Sequence, residues 1–244
     1  MSQADRIAAG LVRVSRKLCR EVSSQRFGPP VQFVYNPLGY ARAAHELYLT
    51  RYGAGAKQVV LVGMNPGPWG MAQTGVPFGE VVLVRDWLGI EVAVGQPARA
   101  HPKRPITGFA CARREVSGQR LWGWAHAHFG TPERFFSRFF VANYCPLSFV
   151  RDSGANHTPD RLPARERGCL FASCDRALRA SIELLSPQWV IGVGGFAERR
   201  AREALRGLDV SVGTILHPSP ASPKANQGWA EVIVAQLRDL GIQL

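Results

Sequence analysis

Four short runs of apolar, largely β-branched residues, each set apart from the next by a helical pattern, constrain this chain more than any other feature. The first, Gln58-Val59-Val60-Leu61-Val62, shows no polar alternation, the pattern of a strand buried on both faces. Similar runs follow at Phe139–Tyr144, Trp189–Val193 and Val210–Leu216. Helical segments separate them at about 80–88, 118–129, 163–185 and 196–206, and a last helix is expected from about 224 to 240. Two more helices precede the first strand. One covers 4–23, with Ile7, Leu11, Val14 and Leu18 near one face, and stops at Gly28-Pro29-Pro30; the other covers 39–51 and ends near Gly53. Strands alternating with helices predict βαβ units, and so an α/β fold: a three-layer α/β/α sandwich around a central four-stranded, mainly parallel sheet. The two N-terminal helices are expected on the outside. No composition shift marks a boundary, so residues 1–244 read as a single domain, with 1–28 as an N-terminal helical extension. The long connection from Ile90 to Gly118, rich in Pro, Gly and Arg, is of the length that is usually functional or mobile.

Charge points to the class of partner. Thirty Lys and Arg against 18 Asp and Glu give a net charge of +12, which favours a polyanion over a bland basic surface. No run of 18 apolar residues exists, so no membrane helix is expected, and Met1–Gly10 lacks the apolar core of a secretory signal. The expected compartment is a bacterial cytoplasm or, in a eukaryote, the nucleus. Cys19, Cys111, Cys145, Cys169 and Cys174 are odd in number, irregularly spaced and contain no Cys-x-x-Cys. They encode neither a disulfide framework nor a zinc site and are expected as buried free thiols; no metal site is expected.

In an open parallel sheet, ligands bind outside the carboxyl ends of the strands. After the first strand comes Gly63-Met64-Asn65-Pro66-Gly67-Pro68-Trp69-Gly70, then Met71–Gly79, with five glycines and three prolines in all. Glycine lets a backbone approach a ligand closely and proline stiffens the loop. The segment lacks the Gly-Lys-Ser/Thr ending of a P-loop and the spacing of a dinucleotide fingerprint, so a nucleotide cofactor is poorly supported. Asn65 is the polar side chain placed straight after the strand. The second strand ends at Asn143-Tyr144-Cys145-Pro146, where Asn143 serves either as a turn cap or as a donor–acceptor pair matched to the amide edge of a pyrimidine. The fourth is followed by Leu216-His217-Pro218-Ser219-Pro220-Ala221-Ser222-Pro223-Lys224, a stiff loop in which His217 is the one histidine at a strand's carboxyl end. His126 and His128 fall on different helix faces, and His45, His101 and His157 have no partner by spacing. Glu80 and Asp86 are the nearest carboxylates to the first loop but form no acid–base pair, and Ser219 lacks a nucleophile-elbow context. Arg199, Arg200, Arg202 and Arg206 make the helix at 196–206 basic, either as a solvated surface or as a phosphate contact.

Together, Gly63-Met64-Asn65-Pro66-Gly67, Gly75-Val76-Pro77-Phe78-Gly79 and His217-Pro218-Ser219-Pro220 resemble the uracil-DNA glycosylase superfamily, and within it the single-strand-selective monofunctional branch. The likeness extends through Val84–Gly89, His101–Pro105, Glu115–Gly118, Asn143-x-Cys145-Pro146-Leu147 and Ala225-Asn226-x-Gly228-Trp229, covering about residues 30–240. The resemblance implies hydrolysis of the N-glycosidic bond of uracil in single- and double-stranded DNA, without metal or organic cofactor, by a monomer that flips the target nucleotide out of the stack. It implies that Asn65 orients the attacking water, Phe78 stacks on the base, Asn143 reads the uracil N3–H and O4 edge, and His217 donates to O2. Backbone N–H groups of Met64 and Phe78 add to the pocket. Pro218, Ser219, Pro220, Ala221, Ser222 and Lys224 form the loop that wedges into the duplex.

Departures from the family pattern shape the finer expectations. Asn65 stands where other branches carry Asp; an amide holds a water but takes no proton, so the reaction should be strongly dissociative. Gly67 stands where the uracil-strict branch has a bulky ring, which suggests space for 5-substituted uracils such as 5-hydroxymethyluracil. Ala221 and Ser222 replace the Arg-Asn pair of vertebrate members, which weakens the wedge. No lysine nucleophile lies in these motifs, so no lyase step is expected. A glycosylase for deaminated purines such as xanthine or hypoxanthine, and a non-catalytic single-strand-binding module, remain as alternatives.

Overall fold

A computed structural model describes residues 2–244. Its strands are β1 (Val31–Tyr35), β2 (Val59–Gly63), β3 (Phe139–Asn143), β4 (Ser148–Arg151), β5 (Asn156–His157), β6 (Trp189–Val193) and β7 (Ser211–Ile215). Its helices are α1 (Gln3–Ser23), α2 (Pro37–Tyr40), α3 (Arg42–Tyr52), α4 (Met71–Thr74), α5 (Val116–Phe129), α6 (Pro132–Phe136), α7 (Ala164–Leu185), α8 (Gly195–Ala204) and α9 (Trp229–Asp239). The central sheet has the order β3-β2-β6-β7, and every pairing in it is parallel. All five residues of β2 are buried, as its uninterrupted apolar run requires. Because β3 lies on one side of β2 and β6 on the other, the chain changes direction across the sheet at the carboxyl end of β2, which opens a crevice there.

Helices cover the sheet as expected. On one side, α1 packs on α7 and α3, and α8 fills the angle between α7 and strands β6 and β7. Elsewhere α5 packs with α6 and α9, burying Trp122, Trp124, Phe135 and Phe139 in an aromatic cluster. Helix α1 starts with a reciprocal cap: the Ser2 hydroxyl accepts the Asp5 N–H at 3.1 Å while the Asp5 carboxylate accepts the Ser2 N–H at 2.9 Å. Leu11, Leu18 and Val22 of α1 are buried, so this segment belongs to the core. An apolar void of about 80 Å³ lies between α1, α3, α7 and the sheet, bordered by Leu11, Tyr48, Phe140 and Ile182.

Three features differ from expectation. A second, antiparallel sheet of order β1-β4-β5 joins the molecule through strands of five, four and two residues, too short to stand out in the sequence. The helix expected at 80–88 is present, but it widens into a π-helical turn over Leu83–Trp87. All five cysteines are free, but only Cys19, Cys145 and Cys174 are buried; Cys111 is half-buried and Cys169 exposed.

Candidate active site

At the carboxyl ends of β2, β3 and β7 lies a pocket of about 400 Å³. Met64, Asn65, Gly67, Phe78, Asn143 and His217, all expected from sequence to serve the site, line it together. The loop after β2 is pinned to the segment after β3: Gly63 and Met64 accept at their carbonyls from the N–H groups of Tyr144 and Cys145, both at 2.9 Å. The Asn65 Nδ2 donates to the Leu147 carbonyl at 3.1 Å. That bond fixes the amide's orientation and leaves Oδ1 as an acceptor toward the pocket, the arrangement needed to hold a water.

Asn143 is the last residue of β3 and lies opposite Gly63 in the parallel register. Its Nδ2 donates to the Met71 sulfur at 3.2 Å, which turns Oδ1 back over Gly63. A Cβ at Gly63 would overlap that oxygen and the Phe78 ring, so Gly63 is the floor on which both side chains rest. Phe78 carries a left-handed φ of +54°, a costly conformation for an aromatic residue. Buried Thr74 imposes it: its hydroxyl accepts the Val76 N–H at 3.2 Å and donates to the Gly79 carbonyl at 3.1 Å, while the Trp122 indole donates to the Pro77 carbonyl at 3.1 Å. The Phe78 and His217 rings stand with centroids 6.4 Å apart and planes at 43°. Neither the Met64 nor the Phe78 backbone N–H donates to another group among the described residues.

His217 follows β7. The Ser219 N–H donates to its Nδ1 at 3.0 Å, so that nitrogen is unprotonated and the ring proton sits on Nε2. Burial pushes the imidazole pKa below its usual value of 6.5, which keeps the ring neutral. A neutral ring with Nε2–H is a hydrogen-bond donor, not a base. The Ser219 hydroxyl accepts the Ala221 N–H at 3.2 Å and shapes the turn; it has no bond to His217, which removes the nucleophile reading.

The loop from Pro218 to Lys224 is rigidly held. Arg120 donates to the carbonyls of Pro218 at 3.0 Å and Ser219 at 3.4 Å and to Asn226 Oδ1 at 2.8 Å, while Asn226 Nδ2 donates to the Pro220 carbonyl at 3.0 Å. Pro220, Ala221 and Lys224 are exposed at its crest, Ser219 and Ser222 are half-buried, and Pro218 turns inward and is buried.

Glu115 was not expected. It precedes α5, and its carboxylate enters the pocket against Gly67 and Gly70. The room inferred beside Gly67 is therefore filled: a Cβ there would overlap the Glu115 carboxylate. Burial raises the Glu115 pKa, against the lowering pull of the Trp69 and Ser117 N–H groups. Met71 and Arg120 were likewise missed. The clue to Glu115 was an acidic residue immediately before a helix N-terminus.

Other charged candidates lie outside. Asp86 pairs with its neighbour Arg85, and Glu80 accepts the Leu83 N–H at 3.0 Å. On α8, Arg200 pairs with Asp175, Arg202 with Glu198, and nearby Arg206 with Glu203, so that surface is largely self-neutralised. Among the described residues, no group of His, Cys, Asp and Glu could hold a metal ion.

Residues 50–238 match the model of the uracil-DNA glycosylase superfamily. The chain belongs to that superfamily. Curated members named single-strand selective monofunctional uracil-DNA glycosylase are similar to it over 238 residues, 97% of this chain: the rat protein at 50% identity, with 86% of its length covered, and the cattle protein at 49%, with 88% covered. The crystal structure of wild-type Pedobacter heparinus SMUG2 shares the fold, with a TM-score of 0.64 over 93% of this chain and 98% of that one, at 15% identity. The superfamily's fold thus accounts for the parallel sheet and for the crevice at its carboxyl edge.

Proposed function

We propose that this uracil-DNA glycosylase superfamily member is a monofunctional DNA N-glycosylase that excises uracil from single- and double-stranded DNA and leaves an abasic site. The observation that carries the reading is the single pocket holding Asn65 Oδ1 and the Nε2–H of His217, each fixed by its own backbone partner. With the flipped uracil on Phe78, Asn143 Oδ1 accepts from N3–H and Nδ2 donates to O4. His217 donates to O2. As the C1′–N1 bond breaks, its electron pair passes to the base and negative charge grows at O2, where the preorganised donor is worth about 10²–10³ in rate. A water on Asn65 adds its oxygen to C1′ and releases its proton to solvent.

Hydrolysis without a lyase step follows from the lining, which contains no lysine. Lys57 is buried, with its pKa lowered to about 8, but it donates to the Ala54 and Phe136 carbonyls at the amino end of β2, away from the pocket. Cytosine is refused because it offers an acceptor at N3 and a donor at N4, the reverse of uracil. A larger 5-substituent, as in 5-hydroxymethyluracil, is accommodated to the extent that Glu115 yields. The enzyme works as a monomer, because one chain supplies every residue named.

The test is cleavage of uracil-containing oligonucleotides, single-stranded and paired with G or A, by wild type and His217→Ala in parallel, with alkali to break abasic sites. Alkali-dependent cutting that needs His217 is expected. Tight binding without base release on every substrate would overturn the reading in favour of a binding module, and release from xanthine or hypoxanthine alone would move it to purine lesions.

A further inference from the structure

We propose that a basic groove beside the pocket, built on Trp69, Arg104 and Arg113, is a track for the single-stranded DNA that flanks the target nucleotide. The proposal rests on the glycosylase reading above and adds a binding surface distinct from the Pro218–Lys224 loop.

The groove encloses about 780 Å³ and is lined by the connection after Ile90, the Trp69 turn and the Ser153–Ala155 turn. Three cations, Lys103, Arg104 and Arg113, face it, and no acidic side chain lines it. The guanidiniums of Arg104 and Arg113 lie 5.0 and 4.7 Å from the centroid of the Trp69 ring. Guanidinium on an indole face is partly desolvated and pre-oriented, yet its remaining N–H groups stay available to phosphate oxygens. Among the described residues, none of the three cations lies within ion-pair distance of a carboxylate. This contrasts with Arg200, Arg202 and Arg206 of the basic helix and its end, each of which is paired.

The groove is also preformed. Fully buried Gln73 donates to the Pro68 and Pro105 carbonyls, both at 3.0 Å, and accepts the Thr107 N–H at 2.9 Å, tying the active-site loop to the groove wall. Tyr35 donates to the Arg104 carbonyl at 2.8 Å and accepts the His101 N–H at 2.7 Å. Arg104 Nε donates to the Gly154 carbonyl at 2.8 Å, which fixes the guanidinium's position.

Continuity with the pocket decides the occupant. Three segments line both spaces within a few residues: Gly67 and Pro68 face the pocket and Trp69 the groove; Glu115 faces the pocket and Arg113 the groove; Asn156 faces the pocket and Ala155 the groove. A strand whose nucleotide is inserted in the pocket passes directly along this wall. Its charge matches the groove's three cations, and its bases are the flat apolar faces that an indole–guanidinium platform accepts.

The test compares wild type, R104A/R113A and R104K/R113K. Fluorescence anisotropy reads binding of a labelled single-stranded 20-mer carrying a 2′-fluorinated deoxyuridine, which resists cleavage, across a salt series. Each lost phosphate contact lowers the slope of log affinity against log salt by about 0.7 for a single strand, so the alanine pair is expected to flatten it by about 1.4, and the lysine pair to restore it. In the same variants, the ratio of kcat/KM for a uracil 20-mer to that for a uracil trinucleotide is expected to fall about tenfold with alanine, the equivalent of one unit of log affinity. Because both substrates are read on one protein, a folding defect cancels. Uracil release by wild type with slope and ratio unchanged in R104A/R113A would overturn the groove but not the glycosylase. Failure of wild type to release any base would overturn the function, and the salt slope would still decide the groove.

Discussion

The Ser219 N–H points at Nδ1 of His217 across 3.0 Å, and that one bond decides which ring nitrogen carries the proton. Protonating Nδ1 turns this contact into two opposed donors. Activity is therefore expected to fall on the acid side with a midpoint below 6.5, the ordinary imidazole value from which burial lowers His217. The sign for stability follows. Between the lowered folded pKa and 6.5 the unfolded chain binds more protons, so stability contributed by this residue is present above 6.5 and lost as pH falls through that window. The kcat/KM profile of wild type and the difference in melting temperature between wild type and His217→Ala across pH 4.5–7.5 check both statements.

Removing the donor should cost more than removing the water's holder. His217→Ala is expected to lower single-turnover rate by about 10²–10³. Asn65→Ala should lower it less, because an amide offers hydrogen bonding without general-base help, which is commonly worth about 10²–10⁴ where a true base is present. Rates measured on one single-stranded uracil oligonucleotide give the order; the reverse order contradicts the roles assigned.

Gly63→Ala tests the pocket floor. The added methyl overlaps Asn143 Oδ1 and the Phe78 ring, and either side chain can clear it only by moving into the pocket that the base must occupy. Overpacking of this kind typically costs about 1–3 kcal/mol, so both melting temperature and uracil excision are expected to drop. Alanine at exposed Gly168, in the interior of α7, where an added Cβ meets nothing within 4 Å, serves as the control: its melting temperature is expected to rise slightly, by the equivalent of about 0.5–1 kcal/mol, with excision unchanged.

Glu115 and Gly67 should behave as a coupled pair. Gly67→Ala drives its methyl into the Glu115 carboxylate. Glu115→Ala makes room for that methyl and, alone, widens the pocket, so that excision of 5-substituted uracils rises relative to uracil. The double variant is expected to recover much of the activity lost by Gly67→Ala, with a coupling of about 0.5–3 kcal/mol from kcat/KM for the four proteins. Simple additivity contradicts the contact.

Arg120→Ala releases two loop carbonyls and the Asn226 side chain at once. Hydrogen bonds to a charged group are worth about 1.5–3 kcal/mol, so a lower melting temperature is expected. Excision from duplex should fall more than from single strands, since only the duplex needs a rigid wedge. Paired assays on the two substrates decide it.

The sheet and its crevice were legible because β2 carries an unbroken apolar run, and such runs report burial on both faces. That Asn65, Asn143 and His217 meet in one pocket was legible from their places at the carboxyl ends of strands, whereas Phe78 was reached through the resemblance alone. The antiparallel sheet was not legible: a two-residue strand such as Asn156–His157 has no periodicity to read. Glu115 was not legible as a pocket wall, because nothing local reveals that a carboxylate before α5 packs on glycines 45 or more residues earlier. The choice left open for the basic helix was partly legible, since Arg202 pairs with Glu198 and Arg206 with Glu203 at helical spacing, whereas the carboxylate that neutralises Arg200 lies in α7.

The meeting of Glu115 with Gly67 and Gly70 also orders the mutational paths open to this pocket. While the carboxylate is in place, any side chain at position 67 or 70 arrives into occupied volume. A lineage that narrows its base range by placing a ring at 67 has either to swing the Glu115 carboxylate aside or to shorten residue 115, and shortening first takes it through a broader-range ancestor. The same two changes taken in the opposite sequence begin by displacing a carboxylate, so the two orders pass through intermediates with different pockets.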